Sequence, residues 1–183
     1  LSTFAEFANL SGRVPVVGVV SGPCFAGNAA LLGCCDVIIA TKNSNIGMGG
    51  PVMIEGGGLG VFKAEEVGPI DVQSANGVVD IEVADDAEAV ATAGKYLSYF
   101  QGTVSKWEAA DQLRLRDLIP ENHKRAYNVR TVIKALADTD SFLEMRPKFG
   151  PGMITGFIRI EGRPFGLIAN NCMHMAGAIE AEG

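Results

Sequence analysis

The first strong pattern along the chain is a run of mostly β-branched apolar residues at positions 14–20. Such a run predicts a strand that is buried on both faces of a layered α/β structure. A tight turn at 21–24 follows, and the small apolar residues of 26–35 predict a short buried helix. Positions 36–40 predict a second buried strand, whereas 43–60, which hold seven glycines, predict an irregular loop.

The alternation of strand and helix continues downstream. A strand is predicted at 78–83, where β-branched residues follow an Asn-Gly turn. Asp85 and Glu88 have the spacing of a helix capping box, so a helix is predicted from there to about residue 100. The first part of the chain therefore reads as a mixed α/β structure.

The second part of the chain starts with a polar segment of mixed charge at 101–125, which predicts a connector between two lobes. Apolar residues at helical spacing then predict an amphipathic helix at 125–137. Positions 153–160 and 165–169 predict a β-hairpin. The chain begins at Leu1 without a Met and stops shortly after this hairpin, so it is expected to be part of a longer polypeptide.

Composition narrows the possible partners. The 183 residues are 48% hydrophobic and 20% charged, which is enough apolar material for a packed core. The net charge of −6 gives no general attraction for nucleic acid or an anionic membrane, and neither partner is expected. The four cysteines form no C-x-x-C pair, which favours reduced thiols and a cytoplasmic location.

The turn at 22–27 is the first candidate for chemistry, because it joins a buried strand to the start of a buried helix. Backbone N–H groups at a helix start lack partners and can hold the negative oxygen of an enolate or a tetrahedral species. The alternative is a tight turn selected only for packing. The pattern alone does not decide between the two.

Other chemistry is less well supported. The glycine run at 56–60 lacks the residues of a phosphate-binding loop, which favours a flexible binding or interface loop. A nucleophile at Ser21 or Cys24 with His123 or His174 as base is disfavoured, because Ser21 is not in a G-x-S-x-G elbow. No metal site is expected, since no Cys or His pairs have ligand spacing.

Several motifs in the same order resemble the carboxyltransferases of biotin-dependent acyl-CoA carboxylases. In the first part they are SGPCFAGNAALLGCCD at 21–36, NIGMGGP at 45–51 and IEGGGLG at 54–60. In the second part they are YNVR at 127–130, SFLE at 141–144, ITGFIRIEGRP at 154–164 and GLIANN at 166–171. The resemblance covers nearly the whole chain.

This resemblance implies a crotonase-like α/β fold of the ClpP/crotonase type, with repeated strand–strand–helix units. It also implies the end of a first carboxyltransferase lobe at 1–104, a connector at 105–125 and the truncated start of a second lobe at 126–183. In this family an acyl-CoA binds the first lobe and carboxybiotin enters the second. The ureido nitrogen of biotin takes the α-proton, and backbone groups hold the enolate.

Carried over residue by residue, the resemblance implies a backbone oxyanion hole at Ala26 and Gly27, where the family often has two glycines. It further implies acyl-CoA binding by two short segments of the first lobe. These predicted binding residues are Gly22, Pro23, Cys24, Phe25, Gly49, Gly50 and Pro51. A second departure from the family is Cys172, where proline is common after Asn170 and Asn171.

The implied cofactor is biotin carried on a partner protein or domain, with no metal in this chain. The implied partners are an acyl-CoA of acetyl or propionyl type, a biotin carboxyl carrier, a biotin carboxylase and further copies of the same protein. Two alternatives stay open, a biotin-independent decarboxylase of malonyl-type thioesters and a non-catalytic interaction lobe. The motifs leave the acyl-chain preference undetermined, and the isolated chain is expected to be inactive.

Overall fold

The computed structural model describes residues 2–122 and 124–181. The chain divides into two compact units, Leu1–Leu97 and Ser98–Gly183. The three-part division predicted from the sequence, with a connector at 105–125, stays a prediction. Among the described residues, no helix is long and apolar enough to cross a membrane.

The first unit alternates short strands and short helices. In chain order these elements are α1 Ser2–Ala8, β1 Val17–Val20, β2 Pro23–Phe25, α2 Gly27–Leu32, β3 Val37–Thr41, β4 Asn45–Gly47, α3 Pro51–Gly56, α4 Ile70–Ala75, β5 Ile81–Val83 and α5 Asp86–Ser98.

A three-stranded parallel sheet of order β1-β3-β5 forms the centre of the first unit. All five residues of β3 are buried, because this strand lies between two others and is covered on both faces. Val20, Leu32 and Ile46 belong to the same buried apolar cluster, which packs α2 and β4 against the sheet. The two strands and the helix are therefore confirmed with shorter bounds, but only β3 is buried throughout. Val19 of β1 is exposed, and in α2 only Ala29 and Leu32 are buried, so the prediction of burial on all sides is wrong for these two elements.

A second parallel pair, β2 with β4, lies where the sequence predicted a turn and a loop. The prediction of an irregular loop at 43–60 is wrong in part, since this segment contains both β4 and the helix α3. Each element is at most six residues long, too short to create a periodic pattern. The helix α4 was missed for the same reason.

The capping signal before α5 is confirmed in atomic detail. The Glu88 N–H donates to Asp85 Oδ1 at 2.9 Å, and the Glu88 carboxylate accepts from the Ala84 N–H at 2.6 Å. Two N–H groups at the start of the helix are thereby satisfied. Helix α5 then runs to Ser98, close to the predicted end.

The second unit is built on an antiparallel sheet of order β6-β7-β8. Its elements are α6 Leu115–Leu118, α7 Val129–Leu136, β6 Leu143–Met145, β7 Met153–Ile160 and β8 Arg163–Asn170. Helix α7 and strand β7 contribute Ile133, Ile154 and Ile158 to one buried cluster. The amphipathic helix and the hairpin are confirmed, although β6 was not predicted.

The hairpin turn is tighter than expected, with two residues rather than four. Glu161 and Gly162 both have positive φ values, of 51° and 75°, which is the backbone of a primed turn. The buried carboxylate of Asp138 accepts from both of their N–H groups, at 2.9 and 2.7 Å. This long-range contact stabilises Glu161 in a conformation that its residue type does not signal.

A buried cation fixes the start of the second unit against the hairpin. The guanidinium of Arg159 donates to the carbonyls of Ser98, Gly102 and Gly162 at 2.7–2.9 Å and lies 5.3 Å from the centre of the Tyr99 ring. Burial raises the pKa of Tyr99 to about 12, although the charge of Arg159 lowers it in part. Satisfied contacts of this kind stabilise a charge that burial would otherwise destabilise.

Candidate functional site

The turn that joins β1 to α2 has an unusual backbone. Gly22 has a φ of 87°, and Ala26 has φ and ψ values of 53° and −121°. Residues other than glycine adopt this conformation rarely, because the Cβ atom crowds the backbone. Strained residues of this kind persist when surrounding contacts hold them, and they are frequent at functional sites.

The two residues of the predicted oxyanion hole differ in what their N–H groups do. The Ala26 N–H donates to the Gly47 carbonyl at 3.1 Å, as a continuation of the β2–β4 pairing. Gly27 is the first residue of α2, and its N–H has no hydrogen-bond partner among the described residues. Of these two residues, Gly27 therefore has the N–H group that the fold leaves available, whereas the Ala26 N–H is already engaged.

The predicted segment 49–51 lies next to the turn. Gly50 precedes α3 in an extended conformation, and Pro51 occupies the first turn of that helix. A Cβ atom at Gly50 would lie 3.3–3.4 Å from atoms of the Phe25 side chain, which is tighter than most such contacts. The absence of a side chain at Gly50 thus lets Phe25 pack closely, and the structure brings these two predicted regions together.

An open pocket of about 380 Å³ lies beside the turn. It is lined by residues of α1, β1, β2 and α2, with one from between β1 and β2 and one from the segment after α2: Phe7, Val17, Gly18, Val19, Val20, Ser21, Pro23, Cys24, Asn28, Leu31, Leu32 and Cys35. Of the predicted site residues, only Pro23 and Cys24 are among them. The lining residues carry no carboxylate, imidazole or amine, so they supply no side-chain base for proton abstraction.

The thiols beside the pocket are poor nucleophiles. Burial raises the pKa of Cys24, and burial together with Cys34 and Asp36 raises the pKa of Cys35. A raised pKa keeps a thiol protonated near neutral pH, where only the thiolate reacts. The disfavoured nucleophile hypothesis gains no support from Cys24.

The histidines do not supply a base for that hypothesis. His174 belongs to the second unit, where its Nε2 lies 2.9 Å from the carboxylate of Glu180. His123 lies outside the described residues. Over 2–122 and 124–181, no group of three or more Asp, Glu, His or Cys residues could hold a metal ion.

Segment 44–47 contacts the turn at Gly22 and Ala26 and the end of β1, and it was not among the predicted site residues. Its contacts to the turn and to β1 come from Ser44, Asn45 and Gly47. The only sequence signal was that Asn45 begins one of the motifs shared with the carboxyltransferases. Buried amide and hydroxyl groups in a loop are a further signal, but burial cannot be read from a single sequence.

The chain matches a known family over nearly its whole length. Residues 2–183 match the family model for the carboxyl transferase domain. The chain is 30% identical over 185 residues to the methylmalonyl-CoA carboxyltransferase 12S subunit of Propionibacterium freudenreichii subsp. shermanii, which covers 95% of this chain and 35% of that protein. It is 32% identical to the biotin-dependent acetyl-/propionyl-coenzyme A carboxylase beta6 subunit of Mycobacterium tuberculosis strain H37Rv, covering 98% of this chain and 39% of that subunit.

Solved structures agree with this assignment. A single-chain, multi-domain long-chain acyl-CoA carboxylase is 57% identical with a TM-score of 0.96, covering 98% of this chain and 18% of that chain. The transcarboxylase 12S structure with methylmalonyl-CoA and methylmalonic acid bound is 29% identical with a TM-score of 0.84, covering 98% of this chain and 36% of that chain. This chain thus spans 18% to 39% of the length of these proteins. It belongs to the carboxyl transferase domain family and has the crotonase-like α/β fold expected from its motifs.

Proposed function

We propose that the protein carrying this sequence is a carboxyltransferase that moves carboxylate from carboxybiotin to the α-carbon of an acyl-CoA. The observation that carries the proposal is the family match over residues 2–183, which includes the strained turn and its available N–H group. Because the chain spans only part of its relatives, the activity is proposed for the complete protein.

In this proposal the Gly27 N–H donates to the thioester oxygen as the enolate forms. A backbone donor in a fixed position stabilises developing negative charge without having to reorganise. The Ala26 N–H can contribute only if it is shared with, or released from, the Gly47 carbonyl. Gly27 is therefore assigned the main role, and Ala26 orients it through its unusual backbone.

The other predicted residues line the acyl-CoA path in this proposal. Gly22, Pro23, Cys24 and Phe25 belong to the turn, and Gly50, which lies between Gly49 and Pro51 in the chain, packs against Phe25. Small residues and glycines at these positions let a thioester carbonyl approach the backbone. Their role in binding rests on the family relation together with this proximity.

The residue types that line the pocket beside the turn agree with a general base that comes from outside this chain. The pocket beside the turn has no carboxylate, imidazole or amine among its lining residues. Biotin, when carried into the site by a partner protein or domain, supplies both the carboxylate and the ureido nitrogen that takes the α-proton. The residues of this chain bind and orient the thioester and stabilise its enolate.

The substrates for which the relatives are named bear on which acyl-CoA the complete protein would carboxylate. The resemblance implies an acyl-CoA of acetyl or propionyl type without fixing the acyl-chain preference, and the beta6 subunit, at 32% identity, is named for acetyl- and propionyl-CoA. The long-chain acyl-CoA carboxylase is 57% identical. The greater similarity favours a long-chain acyl-CoA as the preferred substrate.

The proposed partners are a biotin carboxylase and a biotin carboxyl carrier, as separate proteins or as domains of the same chain, together with further copies of the protein. The related transcarboxylase 12S forms a hexamer, which supports self-association of the complete protein. A cytoplasmic location belongs to the same proposal.

The experiment supplies the complete protein with biotin carboxylase, carrier, ATP and isotopically labelled bicarbonate, and offers acetyl-, propionyl- and long-chain acyl-CoA in parallel. The proposal expects label in the acyl-CoA, loss of labelling when avidin sequesters biotin, and the highest kcat/KM for a long-chain substrate. Avidin-insensitive decarboxylation of malonyl-type thioesters, with no labelling, would favour the decarboxylase. Neither reaction, in a folded protein, would favour a non-catalytic lobe.

A further inference from the structure

The turn at 21–27 is held by one short neighbouring segment. The Ser44 hydroxyl donates to the Val20 carbonyl at 3.0 Å, where β1 ends. The Asn45 N–H donates to the Gly22 carbonyl at 3.2 Å, and the Gly47 carbonyl accepts from the Ala26 N–H at 3.1 Å. Segment 44–47 therefore contacts the turn near its start and at the residue before Gly27.

The same segment is anchored on its far side through the side chain of Asn45. Its Nδ2 donates to the carbonyls of Glu65 and Val67, at 3.2 and 3.4 Å. Next to it, the Ile46 N–H donates to the Gly68 carbonyl at 2.8 Å. Strand β4 thus lies between the turn and segment 65–68, with hydrogen bonds to both.

Burial makes the Asn45 amide hard to replace. Asn45 is only 7% exposed, so water has little access to the two carbonyls if the amide is removed. Leaving a buried polar group without its partner is energetically costly, which favours a local shift that lets the groups find new partners. Such a shift would move β4, and with it the Gly47 carbonyl that holds Ala26.

We propose that Asn45 is a positioning residue for the backbone donor at Gly27, acting through β4 and the Ala26 N–H. This inference rests on the proposed function. Asn45 does not touch the substrate in this account. Its amide ties β4 to segment 65–68, and β4 keeps the strained turn in the geometry that presents the Gly27 N–H.

The first test measures the turn directly and does not depend on activity. In the complete protein, Asn45→Ser is expected to speed amide hydrogen exchange at Ala26, because the bond to the Gly47 carbonyl loosens. The matched control is Ser74→Ala, which removes a buried hydroxyl that is bonded to Glu82 in the same unit. This control should leave exchange at Ala26 unchanged. Equal exchange at Ala26 in Asn45→Ser and in the unaltered protein would overturn the proposal.

The second test is a double-mutant cycle on kcat. Displacing a catalytic group by about 1 Å can cost about 100-fold in rate, so Asn45→Ser is expected to lower kcat by about 10- to about 100-fold with little change in KM. Gly27→Pro removes the N–H on which Asn45 is proposed to act. In that background, adding Asn45→Ser should therefore lower kcat little further.

The two tests separate the possible failures. Faster exchange at Ala26 combined with a non-additive cycle supports the proposal. Faster exchange with fully additive effects on kcat overturns it, because Asn45 would then act independently of Gly27. If the unaltered protein shows no carboxylation, the proposed function fails, while the exchange measurement still decides whether Asn45 holds the turn.

Discussion

Ala26 shows how a single residue can carry strain at a candidate site. Its φ of 53° and ψ of −121° are usual for glycine and costly for alanine. The fold compensates through two hydrogen bonds, from the Ala26 N–H to the Gly47 carbonyl and from the Ala30 N–H to the Ala26 carbonyl. The alanine methyl group is therefore tolerated at a position where the backbone conformation favours glycine.

The sequence indicated the importance of this turn but not which N–H is available. The motif at 21–36 marked Ala26 and Gly27 together, because both match the family pattern. The partner of the Ala26 N–H lies in β4, far along the chain, and no local pattern predicts that pairing. Which backbone groups are hydrogen-bonded across strands can be determined only from the three-dimensional structure.

Replacing Ala26 by glycine should stabilise the protein. Relief of the backbone strain is expected to raise the free energy of unfolding by about 1 kcal/mol, after the greater freedom of glycine in the unfolded chain is subtracted. Denaturant unfolding of the complete protein measures the change. Ala29→Gly is the control, because Ala29 lies inside α2 and is buried, and glycine there should destabilise. Destabilisation by both substitutions would show that Ala26 is not strained.

At the scale of elements, β4 is the feature that organises the candidate site. It pairs with β2 on one side, and Asn45 forms an antiparallel bridge with Pro69 on the other. Three residues suffice because their backbone groups find partners on both sides. The long apolar strands and α5 were predictable from local patterns, whereas β4 and β6 depend on partners elsewhere in the chain.

Gly68 packs directly against β4, and its carbonyl accepts from the Ile46 N–H at 2.8 Å. A Cβ atom at Gly68 would lie 1.8 Å from the Ile46 carbonyl oxygen, and the φ of Gly68 is 59°. Gly68→Ala is therefore expected to displace β4 as well as to strain the backbone. Gly58 has a similar φ of 71°, with open space around a Cβ atom, and is the matched control.

The difference in the free energy of unfolding between Gly68→Ala and Gly58→Ala measures the cost of the steric overlap at Gly68. Gly68→Ala should lower the free energy of unfolding by about 1–3 kcal/mol more than Gly58→Ala does, since both share the backbone strain but only the first is overpacked. Urea unfolding of both variants gives the comparison. Equal losses would mean that β4 moves freely away from Gly68 and does not act as a fixed support.

At the scale of the whole molecule, the ordered set of motifs gave the family and the fold class more reliably than any single element prediction. Seven short motifs spread over both units agree with one family, and the family match over 2–183 confirms it. The motifs did not predict which N–H group of the predicted site is available, because this depends on which backbone groups are already hydrogen-bonded.

In the proposed mechanism catalysis depends on the backbone N–H of Gly27, and the lining of the pocket beside the turn supplies no side-chain base. Gly27 is the first residue of α2, and its N–H makes no bond within the helix, so proline there removes no helical hydrogen bond. Proline also restricts the backbone of the preceding Ala26, and the fold of the variant is therefore checked by its unfolding midpoint. A Cβ atom there meets only the Phe4 ring, at an ordinary 3.5 Å. Gly27→Ala therefore adds a methyl group and keeps the N–H, whereas Gly27→Pro removes the N–H.

The most direct measurement is the ratio of kcat between these two variants of the complete protein, in the biotin-dependent carboxylation assay and at matched unfolding midpoints. Loss of one backbone donor from an oxyanion hole typically costs on the order of 100- to 1,000-fold in kcat, and Gly27→Pro should fall below Gly27→Ala by that factor. Equal kcat values in the two folded variants would contradict the account, because the enolate would then be stabilised elsewhere.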